Sequence, residues 1–161
     1  MNLWQSQREW LVSHGTTLLE THHLRTGRHL IDPSGDAEAD AHRLFDAPFV
    51  VVSAGADDDQ VLNYGNATAL QLWEMDWDTF VTTPSRQTAE PVHRDERAEF
   101  LRQVREKGFI DDYSGIRISS SGNRFLIARA TVWNVTDNLG RHLGQAATFF
   151  SWDPIAQEEA N

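Results

Sequence analysis

The sequence predicts an α+β domain, in which a five-stranded antiparallel sheet carries helices on one face and follows an N-terminal helical extension. Apolar residues recur at helical spacing near the N-terminus, β-branched runs bounded by turn residues come next, and three long period-two segments fill the C-terminal third. A length of 161 residues fits one domain, and a hydrophobic fraction of 40% is enough for an ordinary core.

The first 46 residues indicate helices. Within residues 3–24, large apolar side chains recur every seven positions, as on one stripe of a helix. Residues 28–32 predict a short helical end that stops at an Asp-Pro-Ser-Gly turn, and residues 37–45 predict a second helix.

The middle of the chain predicts a β-hairpin followed by helices. Residues 49–53 and 60–64 are the expected hairpin strands, and Asn66 can cap the helix that follows. The remaining predictions are a helix over 67–73, a short helical segment over 75–80, a proline-stiffened loop over 83–91 and a helix over 93–107.

The C-terminal third predicts an antiparallel meander of three strands, over 112–119, 124–135 and 142–152. Hairpin and meander have a common core face only if they lie in one sheet, and this order of elements is that of a PAS domain. We therefore expect an N-terminal extension (1–46), a PAS-like domain (47–153) and a polar tail (154–161).

Composition excludes several functions. The net charge of −10 repels phosphate backbones, so we expect no nucleic-acid partner. The absence of cysteine removes thiolate metal sites, a cysteine nucleophile and a flavin photoreceptor that works through a cysteinyl adduct. Flavin binding without an adduct stays open. The chain shows neither a signal peptide nor an apolar run of membrane-spanning length, so we expect a cytoplasmic protein without a membrane partner.

Several ordered phrases resemble the MEKHLA family, in the form found in bacterial stand-alone members. They are NYGNATALQLWEM at 63–75, TPSRQTAEP at 83–91, GFIDDYSGIRIS at 108–119 and GQAATF at 144–149. Together with shorter matches at 26–28 and 47–51, the resemblance spans roughly residues 10–152. It implies a PAS-like sensory or dimerisation module, as at the C-terminus of plant class III homeodomain–leucine zipper regulators, and it brings no catalytic residues. The chain has no homeodomain or zipper, so no DNA-binding role transfers.

A PAS-like sheet curls around a small cavity, and polar or aromatic residues near it are candidate ligand contacts. Gln145 lies mid-strand among small neighbours, and flavin-binding relatives of the fold use a glutamine on the last strand to contact the ring. Arg117 suits a carboxylate or phosphate, and shares a strand face with Tyr113. The alternatives are an internally paired or solvent-facing glutamine, and a structural ion pair for the arginine.

Five further residues complete the candidate set. Trp133 is expected to stack on a flat ligand, to lie in the core or to mark a dimer surface, while Asn66 has the simpler role of a helix cap. The full set of candidate ligand contacts is Gln145, Tyr113, Arg117, Trp133, Asn63, Asn66, Arg86 and Trp73.

No cofactor is assigned. His93 lies roughly where haem-binding relatives place an axial imidazole, although an exposed histidine near a helix start is the simpler interpretation and haem is not expected. No spacing of histidines and carboxylates predicts a metal site, and no hydrolase or phosphate-binding motif predicts an enzyme.

Three hypotheses about function remain open. The first is a sensor that binds a small molecule in its cavity and signals through a partner protein. The second is a ligand-free interaction or dimerisation module that pairs through the N-terminal helices or the outer sheet face, sensitive to changes at Trp4, Trp10 or Trp133. The third is a cavity enzyme, for which His93 and Asp112 are the candidate acid or base.

Overall fold

The computed structural model describes residues 2–89 and 94–156. Its helices and strands follow the predicted order closely. They are α1 (Leu3–Thr26), α2 (Ala37–Phe45), β1 (Val50–Gly55), β2 (Leu62–Gly65), α3 (Ala67–Trp73), α4 (Trp77–Phe80), a 3-10 turn (Ser85–Thr88), α5 (Arg94–Lys107), β3 (Phe109–Ile118), β4 (Arg124–Thr136), β5 (His142–Phe149) and β6 (Trp152–Ile155).

The strands form one antiparallel sheet in the order β2-β1-β5-β4-β3, so the hairpin and the meander do share a sheet. The last predicted strand is divided in two. β5 ends at Phe149 and pairs with the second half of β4, whereas β6 pairs with the first half, from Arg124 to Ile127. The α+β fold and its five predicted strands are confirmed, with β6 as a sixth.

The predicted helical end at residues 28–32 is wrong. Gly27 adopts a left-handed conformation with φ of 75°, and its N–H donates to the His23 carbonyl, which terminates α1. The chain beyond Gly27 forms no helix until α2 begins at Ala37.

Helices cover both faces of the sheet. Successive strand residues point to opposite faces, and the neighbours Val50 and Val51 accordingly belong to two different core clusters. Val51 packs with Leu11 and Leu18 of α1, on the face covered by the extension. Val50 packs with Ala69 on the face that carries α3 and α4.

α1 is attached to the sheet by polar as well as apolar contacts. The indole Nε1 of the fully buried Trp133 donates to Thr21 Oγ1 over 2.9 Å. His14 Nε2 lies 2.8 Å from Ser53 Oγ, and that hydroxyl donates its proton to Asn63 Oδ1. Because a serine hydroxyl has a single proton, the His14 ring must be the donor to Ser53.

Asn66 connects four segments of the chain and is completely buried. Its Oδ1 accepts from the N–H groups of Ala69 and Val51, both over 3.1 Å, which caps α3 and holds β1. Its Nδ2 donates to the carbonyls of Phe49 over 2.8 Å and Leu44 over 3.2 Å. The predicted cap is therefore also a tether between α2, β1 and α3.

In the part of the chain that the structure describes, no helix combines the length and apolar character needed to cross a bilayer.

Candidate functional site

A cavity of about 90 Å³ lies between the sheet and the helices α3 to α5. Its wall is mainly apolar, with side chains from β1, β4 and β5 on one side and from α3 and α4 on the other. Among the described residues that line it are Val52, Leu62, Trp73, Phe80, Ile127, Ala130, Val132, Ala147 and Phe149. Three of the predicted polar contacts, Gln145, Tyr113 and Arg117, line the same cavity.

Gln145 on β5 is 8% exposed and belongs to a buried amide chain. Its Nε2 donates to Asn134 Oδ1 over 3.2 Å, and Asn134 Nδ2 donates to the Val104 carbonyl of α5 over 3.1 Å. Gln145 is therefore internally paired, which is one of the expected alternatives, and it also lines the cavity.

Tyr113 and Arg117 form a pair on β3. The Arg117 Nη2 donates to the Tyr113 hydroxyl over 2.9 Å, and the guanidinium carbon lies 5.2 Å from the centre of the ring. Gly115 makes this possible, because a Cβ at that position would lie 2.6 Å from the hydroxyl and 3.3 Å from Arg117 Nη1. The Tyr113 ring also packs on Phe100 of α5, with ring centroids 4.0 Å apart.

Trp73 forms the aromatic end of the cavity. It is 3% exposed and meets Phe80, Phe125 and Phe149 edge to face, with centroid distances of 6.2, 5.3 and 6.1 Å. Its indole Nε1 is buried without an acceptor among the residues described by the structure. Such a group is costly to bury, and a ligand oxygen would compensate it.

The other four predicted contacts do not line the cavity. Trp133 lies on the opposite face under α1, since its strand neighbours Val132 and Asn134 take the cavity side. Asn66 is the buried tether described above. Asn63 accepts from Ser53, and Arg86 is an exposed partner of Asp59 at 3.0 Å.

Several lining residues carry no signal in the sequence. Gln60 was predicted within the hairpin strand 60–64, but it precedes β2 and has a left-handed φ of 46°, so strand alternation does not indicate where its side chain lies. Ser85 and Thr88 line the cavity from the 3-10 turn, in a segment predicted as loop. Phe100 belongs to the apolar stripe of α5, and such a stripe does not distinguish a core contact from a cavity wall.

The wall of the cavity is held at one end by Glu74, which ends α3 in a left-handed conformation with φ of 57°. Its Oε2 accepts from the hydroxyls of Ser119 and Ser121 and from Asn123 Nδ2, which lie in the turn between β3 and β4. These hydrogen bonds lower the pKa of the Glu74 carboxyl, that from Ser119 most strongly. The turn is further fixed by the Ser120 N–H, which donates to the Trp73 carbonyl over 3.1 Å.

Two histidines beneath α1 have lowered pKa values. Burial lowers the pKa of His14 to about 4, because the charged imidazolium loses its hydration. Burial also lowers the pKa of His22, whose ring meets Trp133 edge to face. Both shifts favour the neutral imidazole over the charged form.

The cavity of about 90 Å³ is too small for a flavin ring, because pockets for drug-sized ligands occupy roughly 300–1,000 Å³. Within residues 2–89 and 94–156, no group of three or more His, Asp or Glu side chains is placed to hold a metal ion. His93, the candidate haem ligand and candidate acid or base, lies outside the described residues. Asp112, the other candidate acid or base, is exposed on β3.

Solved structures share this fold at low sequence identity. A PAS domain of a protein from Colwellia psychrerythraea is 12% identical, with 74% of this chain and 98% of that chain covered and a TM-score of 0.62. A fungal LOV domain photoreceptor is 14% identical, with 87% and 90% covered and a TM-score of 0.57. A variant of the protein Vivid is 14% identical, with 65% and 81% covered and a TM-score of 0.51. These likenesses establish the PAS-like fold.

A comparison with curated proteins found no match. A family model, the MEKHLA domain, matches residues 12–154 and so includes most of α1 and all of the sheet except the last residue of β6. The match covers the four sequence phrases that resemble this family, on a fold of the PAS type. The chain therefore belongs to the MEKHLA domain family.

Proposed function

We propose that this chain is a sensory domain that binds a small molecule in the cavity and signals through a partner protein. The observation that carries the proposal is the convergence of Gln145, Tyr113, Arg117 and Trp73 on one small, mainly apolar cavity. Apolar walls with a few placed polar groups are typical of small-molecule sites. The proposed role is binding rather than catalysis, in the cytoplasm.

The partner is proposed to bind the N-terminal extension. In this proposal the chain consists of an extension (1–46), a PAS-like domain (47–153) and a tail (154–161). α1 packs on the sheet face opposite the cavity, so α1 and the cavity lie on the two faces of the same strands, β1 and β4. A ligand that shifts these strands would alter the surface that α1 offers to a partner.

Native mass spectrometry with a cavity-filling variant tests ligand binding. Ala147→Leu adds a side chain into the cavity, whereas Ala67→Leu adds the same side chain at an exposed position of α3. After incubation with a small-molecule extract of the producing cells, we expect excess mass on the wild type and on Ala67→Leu, and bare mass on Ala147→Leu. Bare mass on all three proteins would overturn the proposal.

Exposed aromatic residues favour the second candidate, an interaction module. Phe150 is 64% exposed and packs on Phe49, with ring centroids 4.7 Å apart. Of the surfaces expected to pair, the outer sheet face is covered by α1, so the fully buried Trp133 marks no dimer surface. Light scattering after size-exclusion chromatography tests this candidate: it predicts a dimer that Phe150→Ser dissociates, and a monomeric wild type contradicts self-association.

A further inference from the structure

The strongest unexplained feature of the cavity is the charge of Arg117. Guanidinium groups remain protonated in proteins, so this charge is permanent. Several arginines elsewhere on the described surface have carboxylate partners, as Arg8 has Glu38 and Arg141 has Asp137. Among the described residues, the partners of Arg117 are neutral, namely the Tyr113 hydroxyl and the Ile116 carbonyl at 3.1 Å. The net charge of the chain is −10, yet the cavity wall carries a positive charge whose hydrogen-bond partners are neutral.

The hydrogen-bond directions around this charge select an acceptor. Tyr113 Oη accepts from Arg117, so its own O–H proton points away from Arg117 and has no acceptor among the described residues. A guanidinium has five N–H donors, and two of them go to Tyr113 and Ile116. Tyr113 and Arg117 therefore offer O–H and N–H donors side by side, an arrangement that suits the oxygens of an anion.

The rest of the wall restricts the remainder of the ligand. Leu62, Phe80, Ile127, Val132 and Phe149 give it an apolar surface. The volume of about 90 Å³ is smaller than the roughly 150 Å³ of an engineered cavity that takes up benzene. Free phosphate would leave this apolar wall without a contact, whereas a short aliphatic chain would fill it.

On the basis of the proposed sensory function, we infer that the cavity binds a short-chain aliphatic monocarboxylate, with its carboxylate on the donors of Arg117 and Tyr113 and its alkyl chain against the apolar wall. Gly115 is a positioning residue for this site, because the absence of a Cβ lets the Tyr113 hydroxyl and the Arg117 guanidinium meet above it.

Titration of the full chain with butyrate tests this inference, followed by the backbone amide signals of cavity residues such as Ala147 and by calorimetry. Butyramide is the neutral analogue of the same shape, and inorganic phosphate is the anion without an alkyl chain. We expect butyrate to perturb the cavity signals and to bind at least tenfold more tightly than either analogue, since a charge-assisted bidentate contact is lost with the amide.

Variants separate charge from packing. Arg117→Met keeps an apolar stem but removes the charge, and we expect at least a tenfold loss of butyrate affinity with little change for butyramide. Tyr113→Phe removes one donor, and Gly115→Ala keeps both donors but displaces them, so each should weaken butyrate by severalfold. Arg86→Met, the matched control, changes an arginine outside the cavity and should bind as the wild type.

The outcomes are distinguishable from failure of the sensory proposal. Equal affinity for butyrate and butyramide, or unchanged affinity in Arg117→Met, would overturn the carboxylate inference while leaving a cavity ligand in place. Absence of any butyrate signal would also overturn it, and excess native mass after incubation with cell extract would then preserve the sensory proposal. Tighter binding of phosphate than of butyrate would show a site for a polar anion instead.

Discussion

Replacing Asn66 by alanine should reveal how much of the fold depends on one buried amide. The substitution removes the cap of α3, an effect of about 1 kcal/mol. It also leaves the buried N–H of Val51 and the carbonyl of Phe49 without their partner, at about 1–3 kcal/mol for each group left unsatisfied. The Leu44 carbonyl keeps a second donor, the N–H of Ala47 at 3.3 Å, and should contribute less. We expect a total loss of about 4 kcal/mol in the free energy of unfolding.

Urea denaturation at neutral pH, followed by tryptophan fluorescence, measures this loss as a lower midpoint with an unchanged slope. Asp36→Ala is the matched control, because Asp36 caps α2 through Ala39 at an exposed position, and should cost about 1 kcal/mol. Asn66→Asp keeps the capping oxygen but turns a carboxylate toward the carbonyls of Leu44 and Phe49, and should be nearly as destabilising as alanine. If Asn66→Ala costs no more than Asp36→Ala, the tether between α2, β1 and α3 is not what stabilises this region.

Three further predictions concern other parts of the structure. The pKa of His14 falls from 6.5 to about 4 on folding, so between these values the unfolded chain binds a proton that the folded chain does not, and the free energy of unfolding decreases as the pH falls. Relative to His14→Gln, the wild type should lose about 2 kcal/mol of this free energy between roughly pH 7 and pH 5. A difference between the two proteins that stays constant with pH would contradict this prediction. Glu74→Gly suits the left-handed backbone but removes the hydrogen bonds of the carboxylate to the β3–β4 turn, so hydrogen exchange at the Ser120 amide should accelerate. An unchanged exchange rate would show that the carboxylate does not hold the turn. Gly144 has φ of 147°, and a Cβ there would lie 1.9 Å from a carbonyl oxygen of β1. Gly144→Ala should therefore lower the free energy of unfolding by about 3 kcal/mol or more, whereas Gly140→Ala, in open space, should lower it by about 1 kcal/mol. Equal losses in the two variants would argue against the close approach at Gly144.

The residues of the cavity wall could be predicted where the alternation of side chains along a single strand determines which of them share a face. Tyr113 and Arg117 lie four positions apart and so share a strand face, and Gln145 has small neighbours, so both strands indicated a polar surface beneath the short helices. Trp133 shows the limit of this reasoning. Alternation separates Trp133 from Val132, but which of them faces the cavity depends on α1, whose Thr21 lies 112 residues away along the chain.

Other features depend on side-chain geometry that periodicity does not encode. The amide of Asn66 was expected to cap a helix, yet its bonds to Leu44 and Phe49 join segments separated by 22 and 17 residues. The Glu74 cluster likewise joins α3 to a turn more than 40 residues later, through Ser119 and its neighbours. Such contacts form only when the helices and strands are packed together, so no local sequence pattern predicts them.

The arrangement of α1 behind the sheet gives the molecule a very short path between its two sides. Asn134, which holds the cavity amide Gln145, and Trp133, which holds Thr21 of α1, are consecutive residues of β4. One peptide unit therefore separates a hydrogen bond at the proposed ligand site from one that keeps the outer helix in place. In the proposed sensor, a slight twist of this single strand would reach both faces of the sheet at once, without a hinge or a moving lid.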